Sequence, residues 1–113
     1  MKYVYVIDSM NGSICDSYAE ERFQCIISTL EEAKRFGDEL YKKLSEEDDA
    51  RDLDTPGVWD DLFCGLLIKE FVVYEPGDTP ITKGVPYNQL MPRRQWRKET
   101  EIPDWEEDNM NED

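Results

Sequence analysis

The stretch FQCIISTLEEA, residues 23–33, decides the fold. Residues 23–27 form a mostly apolar run with β-branched side chains, which is typical of a buried strand. Thr29 then stands where the N-cap of a helix is expected, and Glu32, three residues later, completes a capping-box pattern in which its side chain reaches back. The stretch therefore predicts a strand that passes directly into a helix.

The residues after this cap have the spacing of an amphipathic helix. Leu30, Ala33, Leu40 and Leu44 recur at helical intervals and predict a face that packs on a sheet. Gly37 inside the helix costs about 1 kcal/mol relative to alanine, so we expect the helix to approach a strand closely at this point.

Two further apolar runs predict the rest of the sheet. Residues 3–7 are continuously apolar and predict a first strand that ends in the turn-forming residues 8–12. Residues 62–74 form the longest apolar stretch and predict a third strand, either one bent strand or two shorter ones. The fold class is therefore α+β: a small antiparallel sheet in ββαβ order with one main helix packed on a face.

Length and composition place the remaining segments around this unit. A chain of 113 residues suits one domain. We expect residues 1–92 to form the single α+β domain, with an exposed acidic loop over residues 45–61 and an irregular arm, rich in proline and glycine, from residue 79. Residues 93–113 are predicted to form a charged, flexible tail.

The charge balance indicates the chemistry of a partner. Asp and Glu number 27 against 13 Lys and Arg, a net charge of -14 that repels nucleic-acid phosphates and anionic membranes. We expect a basic protein surface as partner, possibly that of a nucleic-acid-binding protein. The apolar run at residues 3–7 is too short for a signal peptide, and the three cysteines form no CxxC pair, so we expect a cytoplasmic protein with reduced thiols.

The residue types needed for common catalytic machinery are missing. The chain has no histidine, which excludes Ser-His and Cys-His pairs and the HExxH zinc site. Its six glycines stand singly and form no phosphate-binding loop. We therefore expect a non-enzymatic protein without cofactor or metal.

The candidate partner-binding residues fall into an acidic group and a basic-aromatic group. Dense carboxylates can imitate the phosphates that a nucleic-acid-binding protein recognises. Residues 93–98 could bind phosphate, pair with acids of the same chain or meet an acidic patch on another copy, and Trp105 could either anchor in a partner's pocket or fold back on the domain. The full set is Glu46, Glu47, Asp48, Asp49, Asp52, Asp54, Asp60, Asp61, Arg93, Arg94, Trp96 and Trp105.

The order strand, turn, strand, followed by STLEEA at residues 28–33 opening a helix, resembles small uncharacterised domains of phages and mobile elements. The resemblance covers residues 2–44 and carries over no functional residues. It favours a phage-type inhibitor that occludes a basic host protein, such as a defence nuclease or a DNA-binding regulator, by charge mimicry.

Two other function classes stay open at this point. The chain could be a self-associating accessory module in which the bases of residues 93–98 meet the acidic loop of a neighbour. It could also sequester a small anionic ligand in a pocket between helix, sheet and arm, using Arg93, Arg94 and Trp96.

Overall fold

A five-stranded antiparallel sheet with one helix forms the architecture of the computed structural model, which describes residues 2–12, 19–49, 62–73, 76–77, 91–99 and 104–108. The strand order is β2-β1-β3-β4-β5. In chain order the elements are β1 (Lys2–Gly12), β2 (Ala19–Ile27), α1 (Leu30–Asp49), β3 (Leu62–Val73), β4 (Arg94–Glu99) and β5 (Glu106–Asp108). The predicted α+β class and its ββαβ order, here β1, β2, α1 and β3, are confirmed.

Strand β1 is longer than the apolar run that predicted it. It continues through residues 8–12, which we expected to form a turn, because this segment pairs with β2 on one side and β3 on the other. Two ladders satisfy the backbone of a central strand, so its polar residues do not end it. The apolar run of residues 62–73 likewise forms one strand.

Helix α1 begins where its cap predicts. The Thr29 hydroxyl accepts a hydrogen bond from the backbone N–H of Glu32 at 3.2 Å. The Glu32 carboxylate, expected to reach back, instead accepts from Arg35 at 2.6 Å. The helix runs on to Asp49, so the first residues of the expected acidic loop, 45–49, are helical.

The core lies between α1 and one face of the sheet. Facing residues of an antiparallel pair share a face, and the pair Ile7 and Ile68 lies fully buried beneath the helix. The buried hydrophobic cluster consists of Tyr5, Ile7, Ala33, Phe63, Leu66, Ile68 and Trp96. Because Tyr5 also faces Glu70, this face carries one buried carboxylate among apolar side chains.

The segment expected to be a flexible tail supplies two strands of the sheet. Strand β4 pairs with β3, and β5 pairs with β4, so a domain boundary after residue 92 would separate paired strands. Trp96 lies in the core on β4 and is 3% exposed. Its burial attaches this charged segment to the sheet.

Helix α1 is the only helix among the described residues, and it is not apolar enough to cross a membrane.

Candidate functional site

The last turn of α1 is a row of four acids, residues 46–49, named here the acidic end of α1. The Glu46 and Glu47 side chains are exposed, and Asp48 and Asp49 complete the turn. This turn holds no basic residue. Carboxylates at a helix C-terminus face the negative end of the helix dipole, which destabilises the helix. The acidic end of α1 therefore concentrates negative charge where the helix dipole disfavours it.

The other predicted acids follow this helix in the chain. Asp52, Asp54, Asp60 and Asp61 lie outside the described residues. Of the predicted acidic group, the structure thus brings together residues 46–49.

The predicted bases are used inside the molecule. Arg93 Nη1 donates to the Glu70 carboxylate at 3.0 Å, and the Arg93 backbone N–H donates to the Glu70 carbonyl at 2.8 Å. Lys98 Nζ donates to Asp38 Oδ1 of α1 at 2.8 Å. These contacts correspond to the intramolecular pairing that the sequence left open as one role for residues 93–98.

Glu70 is the centre of a buried polar cluster that the sequence did not indicate. Its carboxylate is 2% exposed and accepts hydrogen bonds from Tyr5 Oη and Arg93 Nη1, both at 3.0 Å, while Arg94 Nη1 lies 3.9 Å away. Burial raises the pKa of Tyr5, and its hydrogen bond to the Glu70 carboxylate raises it further. The only sequence signal was a charged residue inside the apolar run of β3. A buried carboxylate requires hydrogen-bond donors, and the sequence does not show which residues supply them.

Arg94 connects β4 to β5. Its Nε and Nη2 donate to the two carboxylate oxygens of Glu107 at 2.9 and 3.2 Å, a bidentate pair. This pair lowers the pKa of Glu107 and raises that of Arg94. The guanidinium of Arg94 also lies over the ring of Trp96, 4.7 Å from its centroid. Arg94 therefore adds an exposed ion pair to the backbone pairing between β4 and β5.

Trp96 was predicted to contact a partner and is instead a core residue. It is 3% exposed, and its ring centroid lies 6.1 Å from that of Tyr5. A buried ring cannot stack on a base or fill a partner's pocket without opening the sheet. Trp96 thus serves the core of this structure, and its contact with a partner stays a prediction.

Trp105 folds back onto α1, which was one of its two expected roles. Its Nε1 donates to Asp38 Oδ1 at 2.9 Å, the same oxygen that accepts from Lys98. A Cβ added at Gly37 would lie 2.6 Å from Cζ2 of Trp105. Gly37 therefore makes room for the indole of Trp105, where we had expected a strand.

A second polar cluster lies on the face of the sheet opposite α1. Lys69 Nζ contacts Asp8 Oδ2 at 3.0 Å and Glu21 Oε2 at 2.5 Å. Burial alone would lower the pKa of Lys69, but hydrogen bonds to Glu21 and Asp8 outweigh it and the pKa is raised. Sequence reasoning missed this cluster because its members come from three separate strands.

A pocket of about 360 Å³ opens between the start of α1 and the end of the sheet where β1 begins. Its lining is mostly apolar and consists of Lys2, Tyr3, Val4, Tyr5, Ser28, Thr29, Leu30 and Val73. The residues expected to sequester an anion, Arg93, Arg94 and Trp96, do not line it. Within the described part of the chain, no group of three or more His, Cys, Asp or Glu is placed to hold a metal ion.

Comparisons with protein-family models, with curated proteins and with solved structures find no match to this chain.

Proposed function

We propose that the chain is a non-enzymatic binding protein that occludes a basic protein, of the kind that binds nucleic acid, through the acidic end of α1 and the acids that follow it in the sequence. The observation that carries this proposal is the run of four acids in the last turn of α1 with no basic residue in that turn. Such an arrangement costs helix stability and creates a strong negative potential, which suits recognition of cations.

The internal pairing of the bases supports the proposal. Arg93, Arg94 and Lys98 each contact a carboxylate of the same chain, and Lys69 contacts two. These bases are engaged at sites away from the acidic end of α1. The chain carries 27 acids against 13 bases, so most of its acids have no base to balance them.

The geometry of a helix end suggests how occlusion would work. Successive residues of an α-helix rise about 1.5 Å and 3.6 of them complete a turn, so four consecutive acids surround the helix axis. The acidic end of α1 therefore concentrates its charge in a compact tip of the helix rather than along a stripe. Such a tip fits a concave basic groove of the kind that holds a phosphate backbone. The resemblance to phage domains favours a host nuclease or a DNA-binding regulator as the target.

Paired charge reversals test this proposal. The variant Glu46→Lys with Glu47→Lys reverses two exposed charges at the acidic end of α1, and Glu31→Lys with Glu32→Lys makes the same change in the first turn of the helix. In a pull-down from cell lysate, we expect the first variant to lose the basic proteins that the wild type captures and the second to keep them. Equal capture by both variants would contradict the proposal.

The two alternative functions have less support. Self-association through the bases of residues 93–98 would require Arg93, Arg94 and Lys98 to exchange their internal carboxylate partners for those of a neighbour. Sequestration of an anion by Arg93, Arg94 and Trp96 would require a buried Trp96 to become accessible. Both changes would open contacts that hold β4 and β5 to the domain.

A further inference from the structure

The outer edge of β2 is a second feature that points to a partner. Strand β2 stands at one end of the strand order, and among the described residues no strand pairs with its outer edge. It carries two exposed large hydrophobic side chains, Phe23 at 63% and Ile26 at 58% exposure. Exposed apolar side chains on an edge strand are a known template for pairing with another chain.

A bulge in β2 brings these two side chains to the same face. Phe23 lies opposite Asp8 and Ile26 lies opposite Val6, while Gln24 is the extra residue in the ladder. In a regular strand, residues three apart point to opposite faces, so Phe23 and Ile26 would be separated without the bulge. The bulge therefore creates an apolar pair on one side of the edge.

That side is the face of the sheet opposite α1. The residues of β2 that pack against the core beneath the helix are Cys25 and Ile27. The face with Phe23 and Ile26 also holds Lys69 with its two carboxylate partners, Asp8 and Glu21.

The two edges of the sheet differ in a way that favours β2 as a docking site. Strand β5 forms the other edge and has only three residues, all of them acidic. Short, charged edges are a device that prevents pairing. Strand β2 has nine residues and offers a backbone edge long enough for several hydrogen bonds with an added strand.

We propose that β2 accepts an extended segment of a basic partner protein as an additional antiparallel or parallel strand. Apolar side chains of that segment would cover Phe23 and Ile26. Because Glu20 and Glu21 already pair with Arg22 and Lys69, the charge complementarity of the segment is with the chain as a whole. The net charge of -14 repels a second copy of this chain and attracts a basic segment. The basic character of the partner rests on the proposed function, whereas the surface is separate from the acidic end of α1.

A defined peptide tests this inference. The probe is a fluorescently labelled peptide of alternating lysine and valine with the nine-residue length of β2. We expect it to bind the full chain and to slow hydrogen exchange of β2 amides. We expect the variant Phe23→Ser with Ile26→Ser to bind it about tenfold or more weakly in fluorescence anisotropy, since two apolar contacts are lost. Met91→Ser is the matched control, because Met91 is 65% exposed elsewhere, and its binding should equal that of the wild type.

A second peptide and a second variant separate the explanations. The same peptide with methylated backbone amides keeps its charge but cannot donate backbone hydrogen bonds, so it should bind poorly. Equal binding of both peptides would show attraction by charge alone and overturn the inference. The inference is also overturned if no peptide binds, or if the chain dimerises and the Phe23 and Ile26 variant is monomeric. The variant Glu46→Lys with Glu47→Lys should retain most of the peptide binding, so failure of the proposed function and failure of this inference give different results.

Discussion

The phenol of Tyr5 on β1 donates a hydrogen bond of 3.0 Å to the carboxylate of Glu70 on β3, which is 2% exposed. Arg93, just before β4, donates to the same carboxylate. A buried carboxylate is tolerated only when hydrogen bonds and opposite charge replace its water. Glu70 thus connects β1, β3 and the start of β4 through one side chain.

Removing the Tyr5 hydroxyl should weaken this cluster. We expect Tyr5→Phe to lower the free energy of unfolding by about 1–2 kcal/mol, since one donor to a buried charged acceptor is lost while the ring still packs on Trp96. Chemical denaturation of the wild type and variant measures the change. Tyr3→Phe is the control and should change the free energy by less than about 0.5 kcal/mol, because the ring that lies beside Arg93 remains. Equal effects of both variants would contradict a special role for Glu70.

The contact between Gly37 and Trp105 should be sensitive to a single methyl group. We expect Gly37→Ala to displace the indole of Trp105 from α1, because the added Cβ would lie 2.6 Å from Cζ2 of that ring. The helix itself should gain up to about 1 kcal/mol from the loss of glycine, so helix content should not fall. The substitutions Trp59→Phe and Trp96→Phe leave Trp105 as the only tryptophan. In this background, Gly37→Ala should shift the fluorescence emission of Trp105 to longer wavelength. An unchanged emission would show that the helix accommodates the methyl group without releasing Trp105.

Strand β5 should depend on pH through Glu107. The Arg94 pair lowers the pKa of Glu107 below its usual 4.5, so the stability that this pair contributes is present above the unfolded pKa and is lost as the pH falls through the folded pKa. We expect the difference in free energy of unfolding between wild type and Glu107→Gln to shrink between about pH 7 and about pH 3. Urea denaturation at both pH values measures it. The other carboxylates titrate in both proteins, so their contributions to the free energy of unfolding cancel in the difference. A difference that does not shrink would contradict the role of this pair.

How far the sequence predicts this structure depends on whether the deciding contacts are local. The cap at Thr29 and the apolar runs of β1, β2 and β3 carry their own signals, and they predicted the ββαβ core. Strand β4 has one apolar residue, Trp96, and the residues that share its inward face are Arg94 and Lys98, whose charged groups lie over aromatic rings or contact carboxylates. The sequence of such a strand predicts a solvent-exposed segment, because its burial depends on partners that are distant in the chain.

The candidate site shows the same division. The acidic character of residues 46–49 is readable directly, although the sequence placed these residues in a loop rather than in a helix. The internal use of Trp105 could not be read, because it depends on Gly37 and Asp38 of α1, far away in the chain. The bulge that aligns Phe23 with Ile26 is equally hidden, since it appears only when β2 is paired with β1.

The acids at the end of α1 should lower the free energy of unfolding of the protein. We expect Glu46→Lys with Glu47→Lys to raise the free energy of unfolding by less than about 1 kcal/mol. Bases replace acids at the negative end of the helix dipole, while repulsion from Lys42 and Lys43, four residues earlier, offsets part of the gain. We expect Glu31→Lys with Glu32→Lys to lower it, because acids in the first turn are favourable and Glu32 also pairs with Arg35. Thermal and urea denaturation at low salt measure both changes. A loss of stability in the first variant would show that the acids have a structural role.

The measurement that tests the central claim most directly is a pull-down of the tagged wild-type chain from cell lysate, eluted in rising salt and identified by mass spectrometry. The account predicts that a basic, nucleic-acid-binding protein is captured and that salt releases it steeply, because contacts between exposed charges are screened within about 10 Å at 0.1 M ionic strength. Recovery of the chain alone, of its own oligomer, or of partners that salt does not release would contradict it.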